Sequence, residues 1–355
     1  MFHKIKLLIQ VIIRSYFTIK KVGIPKFNDK NSEYIIWVPY LFSKDFFAND
    51  NFQKTFAAYH FLKLSGRSVT IFFNKNIGEF YNKKIIFYGS SKYNYFGFRN
   101  YMEVIPFISK NLEEQGNIVF PSSYEASLWE NKSEMHSVFE NLNIRTPKTL
   151  KIDLERIVHE EIESFQYPAL IKEEHSCSSR GIYKVDTPDD VYNLLKNKLL
   201  VANNKHIILQ QLLEMRKDLR VILVKNNIVL HYWRVNLSED WKPTSTGHGS
   251  KVDFETFPEQ WKDWIIETFK KLNITTGAFD IAWQNDDLDS EPYILEVSPF
   301  YQPNPKPKTL ENINNYGKWK KSLTYKDNYQ KAVVDVIFNI QEKFIESINS
   351  KNESV

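Results

Sequence analysis

Among its 355 residues the chain has a single cysteine, Cys177. That excludes an internal disulfide and any Cys-cluster metal site, and it fits a reducing compartment. Long hydrophobic runs are missing as well. No uninterrupted apolar stretch approaches the ~18 residues that suggest a membrane span, and no small-residue cleavage site follows the N-terminal segment, so neither a transmembrane helix nor a secretory signal is expected. Charge of one sign is not in excess: 47 Lys plus Arg stand against 43 Asp plus Glu. So even a balance, without a local basic stripe, argues against a nucleic-acid partner. There is no G-x-x-x-x-G-K-[ST] loop, no internal repeat, and no Ser/His/Asp or Cys/His arrangement suited to nucleophilic catalysis.

What is present is the composition of a folded protein: 42% hydrophobic, 15% aromatic and 25% charged. At roughly 150 residues per domain, the length suits about two domains or one large domain with subdomains. The N-terminus departs from the average, with six Lys or Arg and no acid between Met1 and Asn28. They surround Ile5, Leu8, Ile9, Ile12, Ile13, Tyr16 and Phe17 at helical spacing. Two readings stay open, a helix on an anionic membrane surface or a helix docked on its own protein or on a second subunit.

From Tyr34 the pattern alternates between apolar runs (Tyr34 to Val38, Val69 to Phe73, Ile85 to Tyr88, Asn117 to Phe120) and helical stretches (Phe52 to Leu64, and one containing Lys132). Such alternation predicts a parallel sheet with crossover helices. After Phe165 hairpins take over, beginning with Ala169 to Glu173 and Ile182 to Val185 around a small-residue loop. Thr187-Pro188-Asp189-Asp190 predicts an N-cap opening a helix to about Leu200. Further strands are expected at Ile207 to Leu213, Leu219 to Val224, Ile228 to Val235, Ala278 to Gln284 and Tyr293 to Val297, with a helix over Trp261 to Leu272. A terminal amphipathic helix carries Val333, Ile337, Ile340 and Phe344 on one stripe.

The final hairpin carries the strongest chemical signal. With the connection centred on Leu288, Asp280 and Glu296 oppose each other, and period-2 alternation puts them with Ser298 on one face. Phe279, Ile281, Trp283, Leu295 and Val297 then fall on the other. Like charges opposed at about 5 Å repel, and a hard divalent cation, Mg²⁺, would turn the pair into a site. The alternative is that either acid faces solvent or pairs with a lysine.

Lys172, ahead of a loop of exposed amides, suits a polyphosphate, or else it is a solvated lysine at an ordinary hairpin tip. Asp218 and Arg234 either form a cross-strand pair, or Arg234 and Arg220 present guanidinium forks to phosphate or carboxylate oxygens. His175 and His248 are isolated. The aromatics Tyr88, Tyr93, Tyr95, Phe96, Phe98 and Tyr101 are read first as core and otherwise as a surface that stacks on a sugar or nucleotide ring.

Taken in order, these pieces resemble the ATP-grasp superfamily. The matching segments are Trp129 to Lys132, Asn143 to Pro147, Tyr167 to Lys172 with its loop, Ile208 to Leu213, Asp218 to Val221, Arg234, Gly277 to Trp283, and Leu295 to Phe300. The resemblance implies a mixed α/β (α+β) fold: a pre-ATP-grasp α/β domain before two ATP-grasp subdomains with antiparallel sheets, plus terminal helices. The division expected is 1–22, 23–120, 121–205, 206–310 and 311–355.

The resemblance also implies that Lys132 and Lys172 contact the phosphates of ATP, under a loop including Ser176, Ser178, Ser179 and Gly181. Gln210, Gln211, Leu212 and Leu213 would line the adenine pocket, and Asp218 would accept from the ribose hydroxyls. Arg234, with Arg220, would stabilise the transferred phosphoryl group. Asp280 and Glu296 would hold Mg²⁺, with Ser298 where the family usually carries Asn. The activity implied is that of an ADP-forming carboxylate–amine ligase, acting through an acyl phosphate on small-molecule substrates. It is expected in the cytoplasm, with contact at the inner membrane face and a homodimer left open. A pathway building cell-surface glycans or small peptides is the broader expectation. The rivals are a non-catalytic ATP-binding module and a phosphotransferase making a phosphate ester.

Overall fold

The computed structural model describes residues 2–39, 46–47, 50–73, 80–89, 101–176, 181–196, 200, 204–238, 241–244, 250–323 and 327–350. Ser178, Ser179 and His248 therefore lie outside the described residues, as do Tyr93, Tyr95, Phe96 and Phe98.

The first sheet is parallel, with β1 (Tyr34–Val38), β2 (Val69–Phe73), β3 (Lys84–Ile86) and β4 (Ile118–Phe120) in the order β2-β1-β3-β4. Every residue of β1 is buried, as expected of a strand covered on both faces. Tyr34, Ile36 and Val38 pack with the helix Asn51–Leu64, whereas Ile35 and Trp37 pack with the helix Tyr101–Glu114. The sequence reading did not anticipate that second helix, which carries Pro106 inside it, a residue that usually breaks the i to i−4 ladder. Tyr88 is a packing residue whose hydroxyl meets Gln341 Oε1 at 2.6 Å.

The second sheet, β5 (Thr149–Asp153), β6 (Ala169–Glu173), β7 (Ile182–Val185) and β8 (His206–Gln211), is antiparallel in the order β5-β8-β6-β7. Thr187 caps the helix Pro188–Leu195 in a reciprocal box with Asp190. The helix thus opens where the sequence puts it and runs to Leu195; residues 197–199 lie outside the described residues, and Leu200 is again helical.

The third sheet runs β11-β10-β9-β12-β13, formed by β9 (Lys217–Val224), β10 (Asn227–Val235), β11 (Lys251–Asp253), β12 (Thr276–Ala282) and β13 (Tyr293–Ser298). Arg234 opposes Asp218 and Glu296 opposes Asp280, both in the expected register. Each register, however, includes a bulge. The β9–β10 connection is tighter than expected, since Val224 already pairs with Asn227, and a slip at Val229 restores the alignment. In β13 the pairing steps from Glu296 to Ile294, so Leu295 leaves the core face and lines the cleft beside Glu296. That overturns the expected alternation at Leu295; a bulge inserts one residue into one strand and re-aims its neighbours.

The single helix expected around Lys132 is two, Ser123–Ser127 and Lys132–Asn141, separated by Glu130 at φ 51°. Asn131 caps the second, which makes Lys132 its first residue. Glu125 in the first closes a capping box with Ser122, and its other oxygen accepts from the amide of Thr275 just before β12. One buried carboxylate thereby joins the end of the parallel sheet to the start of the third sheet. The terminal helix Tyr329–Asn349 buries its expected stripe.

Replacing Glu125 with Ala leaves two backbone amides without their acceptor, one of them buried. We expect a loss of about 2 kcal/mol, read as a lower midpoint in thermal unfolding, with Glu125→Gln recovering no more than half of it because its amide nitrogen cannot accept from the second backbone amide. A midpoint unchanged in Glu125→Ala would show that the bridge contributes nothing.

Candidate active site

The second and third sheets face each other across an open cleft. Lys172 enters from the end of β6 and Gln210 from β8, while Asp218, Arg234, Asp280 and Glu296 come from β9, β10, β12 and β13. Gln211, Leu212 and Leu213 line the same space as the chain passes from one sheet to the other. Nine of the residues singled out from sequence thus share one cavity. Their common placement follows from strand alternation: β9 and β12 are neighbours, with Asp280 paired to Arg220 as well as to Glu296.

Four more predicted residues, Lys132, Ser176, Gly181 and Ser298, do not line it. The Nζ of Lys132 donates to the carbonyl and hydroxyl of Ser176 at 2.7 and 2.9 Å, so helix and loop base are joined. Gly181 adopts φ +63°, and a Cβ there would meet the Glu173 side chain at 2.8 Å; only glycine satisfies both conditions. The loop's base is further fixed by buried Glu174, which accepts from the amide and Nδ1 of His206, both at 3.0 Å. Ser298 is buried and donates to Glu296 Oε1 at 3.2 Å. His175 stays at the loop base, where its Nε2 lies 3.8 Å from Glu174.

Charge is concentrated here. Arg234 grips Asp218 through two nitrogens, Nε at 3.0 Å and Nη2, and its Nη2 also reaches Asp280 Oδ2 at 2.8 Å. The cross-strand pair read as the alternative for Asp218 and Arg234 is therefore present, extended to a third partner. Arg220 Nη1 lies 3.5 Å from Asp280 Oδ1. Burial opposes the charge on Asp280, yet the two guanidinium groups outweigh it and hold the carboxyl below its ordinary range. For Arg234 burial likewise opposes the charge, and Asp218 with Asp280 raises it well above the usual value. Burial, reinforced by repulsion from Lys132, lowers Lys172 to about 8.

Four cations (Lys132, Lys172, Arg220 and Arg234) thus face three carboxylates. The excess favours an anionic ligand, and the walls between two sheets sharpen the field.

Among the described residues of this site, Oδ1 of Asp280 and Nε of Arg220 are buried without a hydrogen bond, although Oδ1 keeps the Arg220 Nη1 ion pair at 3.5 Å. A buried polar atom without a hydrogen bond costs about 1–3 kcal/mol, so each has bonding capacity left for a ligand. Oδ1 of Asp280 and the Glu296 carboxylate form the hard-oxygen set that Mg²⁺ takes. Ser298 offers a hydroxyl where a carboxamide would reach further.

Sequence reasoning missed the support behind Lys172. Its Nζ donates to Gln210 Oε1 at 2.5 Å; the Gln210 amide nitrogen donates to Thr149 Oγ1 at 2.9 Å and faces His136 Nε2 at 3.3 Å. Burial lowers His136 to about 3, so the neutral ring accepts and fixes which way the amide points. Gln210 therefore spends its side chain on Lys172, leaving its backbone at the cleft. The available signal was the spacing of Lys132 and His136, four residues apart on one helix face.

No curated protein matches the sequence at a significant level. A family model described as the RimK-like ATP-grasp domain matches residues 129–310, half of the chain. The chain belongs to the RimK-like ATP-grasp family. It is an ATP-dependent carboxylate–amine ligase by class, in agreement with the sequence reading. The fold is similar to that of a D-alanine–D-alanine ligase from Bacillus anthracis complexed with ATP, at 11% identity and TM-score 0.53, over 94% of this chain and 100% of that one. It is also similar to the D-cycloserine synthetase DcsG, at 10% identity and TM-score 0.58, over 90% and 99%. A third is the ATP-grasp ligase PsnB complexed with a minimal precursor, at 12% identity and TM-score 0.51, over 89% and 99%.

We expect Gln210→Leu to weaken binding of a non-hydrolysable ATP analogue roughly tenfold, about 1.4 kcal/mol, by calorimetry. Because Lys172 lies near 8, its positive charge is present below that pH and is lost above it. Affinity for the analogue should therefore fall from pH 7 to 9, and Lys172→Ala should abolish that slope. An equal slope in the variant would place the titration elsewhere.

Proposed function

We propose that this ligase activates a small-molecule or peptide carboxylate as an acyl phosphate and joins it to an amine. The observation that carries the reading is the opposition of Asp280 and Glu296 across β12 and β13, beside Lys172 and Arg234. In the first step a carboxylate oxygen bonds to the γ-phosphorus of ATP and ADP leaves. In the second the amine nitrogen bonds to the acyl carbon, phosphate leaves, and the nitrogen gives up a proton.

In this reading Lys132 and Lys172 hold the triphosphate, with Ser176, Ser178, Ser179 and Gly181 over it, and Gln210 to Leu213 border the adenine. Asp218 accepts from the ribose. Arg220 and Arg234 neutralise charge on the transferred group and the acyl phosphate; Arg220 Nε, lacking a partner, is free to point a donor at it. Asp280 and Glu296, with Ser298 as a weaker third donor, would hold Mg²⁺, which when bound neutralises phosphate charge during transfer. The rest is alignment by the chain's own cations, which suits phosphoryl transfer. The boundaries 23–120, 121–205 and 206–310 are proposed as the substrate-side domain and the two ATP-grasp subdomains, in a cytoplasmic enzyme.

A pathway making cell-surface glycans or small peptides is the broader context proposed. It is in keeping with neighbours named for D-alanine–D-alanine and D-cycloserine synthesis. One observation favours a second reading, an ATP-binding module without turnover: Ser298 already spends its hydroxyl on Glu296.

The test is a panel of carboxylates and amines assayed for ADP, with mass spectrometry of products. Equal amounts of ADP and amide, dependent on both substrates and abolished by EDTA, are expected. ATP binding without turnover would instead establish the module, and a stable phosphate ester the phosphotransferase. Asp280→Asn and Glu296→Gln should each reduce turnover by at least roughly a hundredfold with the fold retained by circular dichroism, Asp280→Asn also lowering the melting temperature because Arg220 and Arg234 lose their carboxylate. Arg234→Ala should lower kcat more than ATP affinity.

A further inference from the structure

We propose that the outward face of the N-terminal helix (Phe2–Val22) docks on an anionic lipid surface and holds the enzyme there.

The helix has two faces. Its inner face is anchored on the protein: Arg14 reaches Asp50 and donates to Gln330 Oε1 at 2.5 Å. Thr18 is wholly buried, Phe17 and Val22 pack into the cluster of the terminal helix, and Lys21 pairs with Asp335 at 3.1 Å. With those contacts made, the rotation of the helix about its axis is set, and so is what it shows to solvent.

The outer face shows Ile5, Leu8, Ile9, Ile12, Tyr16 and Ile19, between 38% and 60% exposed. At 100° per residue these six fall within a stripe about 100° wide. Single exposed apolar residues are ordinary, but six contiguous ones are not. Ile24, just past the helix end, is 86% exposed. Lys6 and Lys20 follow one border of the stripe and the position of Lys4 falls on the other. The helix contains no acidic residue.

That charge pattern selects the occupant. A second copy of the helix would bring lysines against lysines, which is repulsive in either orientation. Anionic headgroups instead complement the lysines while the apolar stripe sinks to the acyl boundary, as amphipathic interfacial helices do. No described helix is long and apolar enough to cross a membrane, so the helix would lie in the surface plane. Both readings left open by the sequence are thereby used, one by each face.

The experiment is cosedimentation of the full chain, without nucleotide, with phosphatidylcholine vesicles and with vesicles carrying roughly 30% phosphatidylglycerol. Binding is expected only to the anionic vesicles, falling severalfold at high salt. Leu8→Asp/Ile12→Asp should lower it at least roughly tenfold, with melting temperature and any ATP turnover in solution unchanged. The milder Leu8→Gln/Ile12→Gln pair serves if the charged variant misfolds. Wild-type protein left in the supernatant of both vesicles, or binding undiminished in the variants, would overturn the proposal. So would a wild-type dimer by light scattering that the variants dissolve without any vesicle binding. Because no nucleotide is involved, failure here leaves the ligase reading standing, and failure of that reading leaves this one.

Discussion

The site depends on one electrostatic constraint: two carboxylates placed opposite each other on adjacent strands, where like charges repel, must be held by cations from the same sheet. Asp280 cannot turn away, because β12 runs between β9 and β13 and its neighbours Phe279 and Ile281 are locked in the core. The sheet supplies the remedy from β9 and β10, where Arg220 and Arg234 sit at the registers that meet Asp280. Buried ion pairs of this kind contribute little net stability, because desolvation offsets attraction. Their value is in pre-positioning donors before charge develops on a ligand.

The same logic accounts for Lys172. A long, flexible side chain in a cleft has many rotamers, and a single ammonium carries no preferred direction. Gln210 supplies the direction, and His136 with Thr149 supplies Gln210's. Lys172, Gln210 and His136 are buried, and the neutral His136 accepts rather than repels. A buried polar network of this sort fixes one geometry where an apolar wall would fix none. Burial, with repulsion from Lys132, makes the Lys172 ammonium easier to deprotonate than usual, and Glu296 and Asp280 offset that only in part.

Where the sequence was legible, local chemistry and tertiary packing agreed. Thr187-Pro188 opened its helix, Tyr34 to Val38 formed a strand buried on both faces, and Asp218 and Asp280 found the partners that turn arithmetic gave them. The exceptions have physical causes. Periodicity cannot see a bulge, so Leu295 was assigned to the core although one unpaired residue in β13 turns it into the cleft. Pro106 hid a helix that its neighbours Val104, Ile105 and Ile108 stabilise by packing on the parallel sheet. Glu130 hid a break, because a non-glycine residue at positive φ leaves no strong signal in composition. The correct register at Arg234 came from two errors that cancel, a shorter turn and a bulge at Val229.

Ser298 remains the sharpest departure from the family pattern, and its surroundings bear on metal stoichiometry. Its hydroxyl is committed to Glu296 Oε1, and Ala278 stands opposite it in the register, so the adjacent strand offers no further oxygen from a side chain. Among the described residues no third His, Cys, Asp or Glu joins Asp280 and Glu296. Two protein carboxylates are enough for one Mg²⁺, which keeps several waters and shares phosphate oxygens, but they leave a second ion underprovided. The arginines offset this, for Arg220 and Arg234 bring two fixed positive charges to Asp280. Cationic side chains would then neutralise the charge that a second ion would otherwise meet.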